Sequence, residues 1–236
     1  MNQTITILKK ELKDYFLSPV GYIVISIFLI ISGWLFFSNF FLYKQADVRI
    51  FFSFLPIVFA FVIPATTMRL FSEELNIGSY EIIHTMPVTL TNIILGKFLA
   101  TVVFICAMLL PTLLYAITVS FLGEIDWGIV FAGYLGAILL GSCFAAIGIF
   151  TSSITKNQIV ACIVGMSICF TLTIVDSNNA LLFVPNSFVN FFQFLAADYH
   201  FNNIAKGILD TRDILYFLSV CFVGLYGTHL SLSEKN

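Results

Sequence analysis

Few residues in this chain could do chemistry, and most of them sit together. The densest group runs from Arg69 through Leu-Phe-Ser-Glu-Glu-Leu-Asn-Ile-Gly-Ser-Tyr-Glu-Ile-Ile-His-Thr-Met to Pro87, and on to Gly96-Lys97. It places Glu73, Glu74, Glu81 and His84 in one short stretch between two long apolar segments. Carboxylates and an imidazole gathered there make a polar surface suited to a soluble partner; an ordinary solvated loop is the alternative. Ser72 can cap a short extension of the preceding helix, with Glu73 and Glu74 in the first turn, where the helix dipole favours acid. Gly78 ends that extension, Ser79 can cap a second short helix from Tyr80 to Thr85, and Pro87 stops it. Thr91 marks the start of the next long helix. The short helix would present Tyr80, Glu81, Ile83 and His84.

Other reactive residues form no such group. Ser167, in Gly165-Met-Ser167, and His229 could make a nucleophile–base pair, but their depths disagree. Ser167 falls near the middle of one apolar segment and His229 at the end of an antiparallel one, a separation on the order of 10 Å at 1.5 Å per residue, too far for that hydrogen bond. Asp198 and His200 have metal-ligand character but no third ligand in view. Neither H-E-x-x-H nor G-x-x-x-x-G-K-[ST] occurs. Cys106, Cys143, Cys162, Cys169 and Cys221 lie inside apolar segments without a C-x-x-C pair, so neither a disulfide framework nor a zinc site is expected. No catalytic, cofactor-binding or metal-binding residue is predicted, and the chain is not expected to be an enzyme.

The elements that position these residues follow from composition. Hydrophobic residues make up 59% of the chain, charged residues 10%, and mean hydropathy is +1.00. A soluble fold carries roughly 25% charged residues, so this is an all-α integral membrane protein. The net charge of -2 gives no case for nucleic-acid binding. A span needs about 20 apolar residues. Six segments qualify, roughly 20–43, 50–70, 98–122, 129–150, 158–175 and 213–232. With both termini inside, Lys9, Lys10, Lys13, Arg69, Lys97, Lys156 and Lys235 are cytoplasmic, while Lys44, Arg49, Lys206 and Arg212 face out, in agreement with the positive-inside rule. The 71–97 island is then cytoplasmic.

Residues 4–17 are amphipathic. Ile5, Leu8, Leu12, Tyr15 and Phe16 share one helical face, and Lys9, Lys10, Lys13 and Asp14 the other. The run is too charged to span, so it should lie in the interface among lipid phosphates, either as a basic anchor or as an elbow that also touches a partner. Pro56, Pro64 and Pro111 should kink their helices, and the small residues of the fourth span (Gly133, Gly136, Gly141 and Gly148 among them) suit close packing. No span carries a central ionisable residue on these boundaries, which argues against a proton or sodium relay. The aromatic stretch 176–212 (Phe183, Phe188, Phe191, Phe192, Phe194, Tyr199 and Phe201) should dip into the outer leaflet as short helices, capping a path or merely plugging the membrane.

Three places in the chain resemble the ABC-2 type transporter permeases, in particular the branch with the gliding-motility-associated permease subunits. They are Lys9-Lys-Glu-Leu-Lys-Asp-Tyr-Phe-Leu-Ser-Pro-Val-Gly-Tyr22; Pro64-Ala-Thr-Thr-Met-Arg-Leu-Phe-Ser-Glu-Glu74 with Gly78, Glu81, Pro87 and Gly96-Lys97; and His200-Phe, Lys206-Gly207 and Asp210-Thr-Arg-Asp-Ile-Leu-Tyr-Phe217. The resemblance implies an interfacial elbow helix over residues 1–19 and a six-helix transmembrane domain over 20–236. It also implies a short cytoplasmic coupling helix between spans two and three. By motif position Ser79 to His84 would be that helix and Lys9 to Asp14 the elbow. Gly78-Ser79-Tyr80-Glu81 stands where the family often has Gly-Thr-Leu-Glu, a departure that keeps the geometry. The resemblance further implies a bacterial inner-membrane exporter, two paired permeases (copies or relatives), and a separate ATPase subunit that binds ATP and Mg. A membrane scaffold that recruits a cytoplasmic protein through the same island is the alternative.

Overall fold

The computed structural model describes residues 3–43, 48–78, 88–123, 125–175 and 193–235. The regular elements among them are all helical. They are α1 (Gln3–Leu17), α2 (Pro19–Tyr43), α3 (Arg49–Thr67), α4 (Arg69–Ile77), α5 (Leu90–Leu109), α6 (Leu113–Ser120), α7 (Trp127–Ile154), α8 (Gln158–Ile174), α9 (Ala197–Ala205) and α10 (Thr211–Ser233). Among the described residues five helical runs are long and apolar enough to cross a membrane: 19–38, 49–77, 90–120, 127–154 and 211–233. The fifth expected span, 158–175, is α8, whose 17 residues cover about 25 Å at 1.5 Å per residue, at the short limit for a crossing.

α7 is the central helix, packed against α3, α4, α5, α8, α9 and α10. Its glycines permit this. A Cβ on Gly133 would fall 2.3 Å from the Phe52 ring, and one on Gly148 only 2.0 Å from the Thr67 hydroxyl. The small-residue pattern of the fourth span is therefore a set of backbone contacts with named neighbours. Around it a phenylalanine-rich core forms from Phe28, Phe52, Phe59, Phe144, Phe201 and Phe217. Asp126 starts α7 by accepting from the Gly128 N–H at 2.8 Å, and Asn157 starts α8 by accepting from the Ile159 N–H at 2.9 Å. At the C-terminal end of α7 Lys235 donates to the Ser153 and Ile154 carbonyls, at 2.6 and 3.1 Å, where the helix dipole favours a cation.

Proline effects are local. α3 runs through Pro56 and ends at Thr67, three residues past Pro64. Pro111 turns the end of α5 into a 3-10 turn, Leu110–Thr112, before α6 continues the span.

Several expected boundaries move. Ser72 does not cap the extension of the second span: α4 begins at Arg69, and the Ser72 hydroxyl donates back to the Met68 carbonyl. The capping oxygen comes from α7 instead. Ser152 Oγ accepts from the Phe71 and Ser72 N–H groups, both at 3.0 Å, and donates to Met68 O at 2.7 Å. α5 starts at Leu90 with Thr89 in the capping position, so Thr91 lies inside the helix, and Lys97, expected just outside the third span, lies two turns within it. Ile5 is exposed while Glu11 is buried, so the packed face of α1 is rotated from the purely apolar one. Gly78 ends α4 at φ 78, the left-handed conformation in which glycine meets no Cβ penalty.

Candidate functional site

α4 ends and α5 begins within the charged island, and α1 lies across α5. Where the three meet, Lys97 of α5 is buried, its side chain 3% exposed. Its ammonium donates to Glu11 Oε1 at 3.0 Å, Glu74 Oε1 at 2.8 Å and Leu70 O at 2.8 Å. All three N–H donors of the lysine are used. The Phe71 ring completes the surround, 5.1 Å from Nζ to its centroid. A buried ammonium is tolerated here because carboxylates from two other helices match it.

A second layer of contacts holds α1 in place. Tyr15 OH donates to the Thr66 carbonyl at 3.2 Å, and its ring stacks on Phe104 at 4.6 Å. The Arg69 guanidinium lies over the Tyr15 ring, 5.4 Å from its centroid. Burial raises the Tyr15 phenol to about 12, partly opposed by the Thr101 hydrogen bond and the Arg69 charge. At the start of α1, Asn92 Nδ2 donates to Gln3 Oε1 at 2.9 Å and Thr4 Oγ1 donates to Asn92 Oδ1 at 3.1 Å. α1 is thus bolted to the bundle by hydrogen bonds and ion pairs as well as by its apolar face.

The predicted site residues divide into three groups. Lys9, Lys10, Lys13 and Asp14 are exposed on α1, and Glu73 is exposed on α4. Glu74 is drawn inward to Lys97, and Gly78 closes α4. Ser79, Tyr80, Glu81, Ile83, His84 and Pro87 lie outside the described residues. Lys10, Asp14, Glu73 and Glu74 share the wall of one cavity of about 610 Å³ between α1 and α4, with Arg69 and Lys97. Glu11, Arg69 and Lys97 take part as well, though none is among the predicted site residues. The available signal was a glutamate four residues before Tyr15, facing the same way, and a lysine without a place among the apolar residues of a span.

The opposite end of the bundle holds a second buried ionisable pair among the described residues. His200 of α9 and Asp213 of α10 meet Nδ1 to Oδ1 at 2.6 Å, and His200 Nε2 lies 2.9 Å from the Phe194 carbonyl. Because a carbonyl only accepts, Nε2 carries a hydrogen, and one proton is shared between Nδ1 and the carboxylate. Tyr216 stacks on the imidazole at 4.1 Å and donates to Leu195 O at 2.6 Å. Asp198 accepts from Asn202 at 2.9 Å, while both ring nitrogens of His200 are taken up by Asp213 and the Phe194 carbonyl. Among the described residues no three potential ligands gather. Of the aromatic stretch, Phe201 is buried in the core and α9 packs on α3, α7, α8 and α10, while Phe183, Phe188, Phe191 and Phe192 lie outside the described residues. Ser167 is exposed on α8 and donates to its own helix at Ile163 O, whereas His229 lines a groove between α5 and α10.

These features define a multi-pass helical membrane protein with a charged joint at one end. Residues 43–209, well over half of the chain, match the ABC-2 family transporter proteins. The chain belongs to that family, whose members are membrane components, generally non-catalytic, that typically work with an ATPase partner. No curated protein matches the chain.

Proposed function

We propose that the chain is the permease subunit of an ATP-driven exporter, with ATP and Mg bound by a separate ATPase subunit. Besides family membership, one observation carries the reading: Lys97 ties together α4 and α5, the two helices that flank residues 79–89, and adds α1 to them. A push on that segment enters both helices, and the buried ion pairs resist their separation, so the helices move as a unit. Ser79 to His84 then act as the coupling helix and Lys9 to Asp14 as the elbow, with residues 1–19 forming an elbow segment and 20–236 the transmembrane domain. ATP binding closes the ATPase dimer, the coupling helix follows, and two paired half-bundles shift between inward and outward states. α8 serves as a short fifth crossing of six. The termini are cytoplasmic, and the membrane is the bacterial inner membrane. Membership of the gliding-motility branch rests on the sequence likeness alone.

The test is purification of the tagged chain in mild detergent, identification of its partners and an ATPase assay. A co-purifying P-loop ATPase whose turnover loses its response to this chain in Glu81→Lys supports the reading, because that change breaks the island's acidic face. Recovery of folded chain without an ATPase, across several detergents and nanodiscs, favours the scaffold alternative.

A further inference from the structure

The cavity between α1 and α4 carries a chemical signature of its own. Arg69 projects from α4 into it, half-buried, and among the described residues no carboxylate lies within ion-pair distance of its guanidinium. Lys97, in the same wall, is already matched by Glu11 and Glu74. A half-buried guanidinium on α4 facing a second cation, Lys10 of α1, in the lining of the same cavity suits a phosphate. Asp14 and Glu73 also line the cavity and are exposed, so a multiply charged anion alone is repelled. A group bearing a phosphate and an ammonium a few bonds apart satisfies both signs.

Next along the chain from the cavity comes an apolar track. Leu17, part of the cavity lining, is exposed. From there Val20, Ile23, Ile27, Ile30 and Trp34 recur at three- and four-residue spacing along α2, all exposed, which places them on one face of the helix. We infer that this cavity seats the headgroup of a phospholipid carrying a phosphate and a primary amine, with an acyl chain laid along the exposed face of α2. Arg69 and Lys10 hold the phosphate; Asp14 and Glu73 hold the ammonium. The site depends on membrane insertion alone and stands whether or not an ATPase partner exists.

Native mass spectrometry of the full chain in detergent tests this, with phosphatidylethanolamine, phosphatidylcholine, phosphatidylglycerol and inorganic phosphate titrated separately. Phosphatidylethanolamine is expected to be retained preferentially. Arg69→Gln should weaken it about tenfold, the loss of one charge-assisted contact, with Arg69→Lys intermediate. The exposed substitution Lys10→Gln, which leaves the fold alone, should weaken it less. The pair Asp14→Asn with Glu73→Gln should abolish the preference over phosphatidylglycerol. Equal retention of all three lipids by the native chain and by both Arg69→Gln and Lys10→Gln overturns the proposal. So does equal competition by inorganic phosphate, which makes this a free-anion site. Cross-linking from position 69 into a co-purified ATPase, with lipid retention unchanged in every variant, makes it a protein contact and also overturns it.

Discussion

The two buried ionisable joints differ in how many helices they join and in what holds their charge. At the α1 end, one lysine sits between carboxylates from two other helices, and the partners stand 86 and 23 residues away in sequence. At the opposite end, His200 and Asp213 are 13 residues apart and share one proton between two groups. The first joint is built on a cation that nothing but a carboxylate can match. The second needs only a donor and an acceptor of the right shape. The α1 joint should therefore be brittle towards substitution, and the α9–α10 joint tolerant. The brittle joint is also the one beside the segment proposed to take force, where rigidity is useful.

The largest effect is expected at Lys97. Lys97→Met leaves Glu11 and Glu74 facing a buried site with no cation, and should cost about 3–5 kcal/mol. Thermal unfolding in detergent or nanodiscs would show it. Adding Glu11→Gln and Glu74→Gln to that variant should recover much of the loss, because neutral amides can stay buried without a counter-charge. A Lys97→Met chain that melts with the native protein would erase the contrast between the joints.

Tyr15 sharpens the comparison through pH. Its phenol is raised from 10 to about 12, chiefly by burial, so the folded state holds the proton more tightly than the unfolded chain does. The resulting stabilisation is complete below pH 10 and is lost as pH rises from 10 through about 12. Two units correspond to about 2–3 kcal/mol. Tyrosinate absorbance followed against pH, with Tyr15→Phe as control, should show one late-titrating tyrosine at the α1 joint. Tyr15→Phe should remove that portion of the alkaline loss of stability. A Tyr15 that titrates at 10 would mean α1 is not docked as described.

The contrast also explains what could be seen in the sequence. Apolar runs, the end of α4 at Gly78 and the close-packed glycines of α7 are local signals, set by hydropathy, a left-handed φ and spacing, and they were legible. The three-helix joint was not. Glu11 belonged by type to the polar side of α1, and only Lys97, arriving from α5, makes its burial favourable. Lys97 falls just outside the third span as apolar runs define it, 98–122, and only its distant carboxylates make its burial in α5 favourable. The same holds for capping: Ser72 has the right type and place to cap its own helix, yet the oxygen that serves α4 is Ser152, 80 residues on. Types predict what a residue can do nearby, and tertiary partners decide what it does. The segment proposed to couple, Ser79 to His84, lies outside the described residues and stands on sequence alone.

The smallest effect should come at the tolerant joint. Asp213→Asn keeps the shape and replaces a shared proton with an amide N–H, which can donate to His200 Nδ1 while Nε2 goes on donating to Phe194 O. The amide oxygen then takes the place of Oδ2, a buried carboxylate oxygen without a hydrogen-bond partner among the described residues. A neutral oxygen is less costly than a charged one to leave in that position. The change in stability should stay within about 1 kcal/mol, several times smaller than for Lys97→Met, and the melting curve should barely move. A loss as large as that of Lys97→Met would show that the second joint, too, depends on its full charge, and the two ends of the bundle would then be held by the same physics.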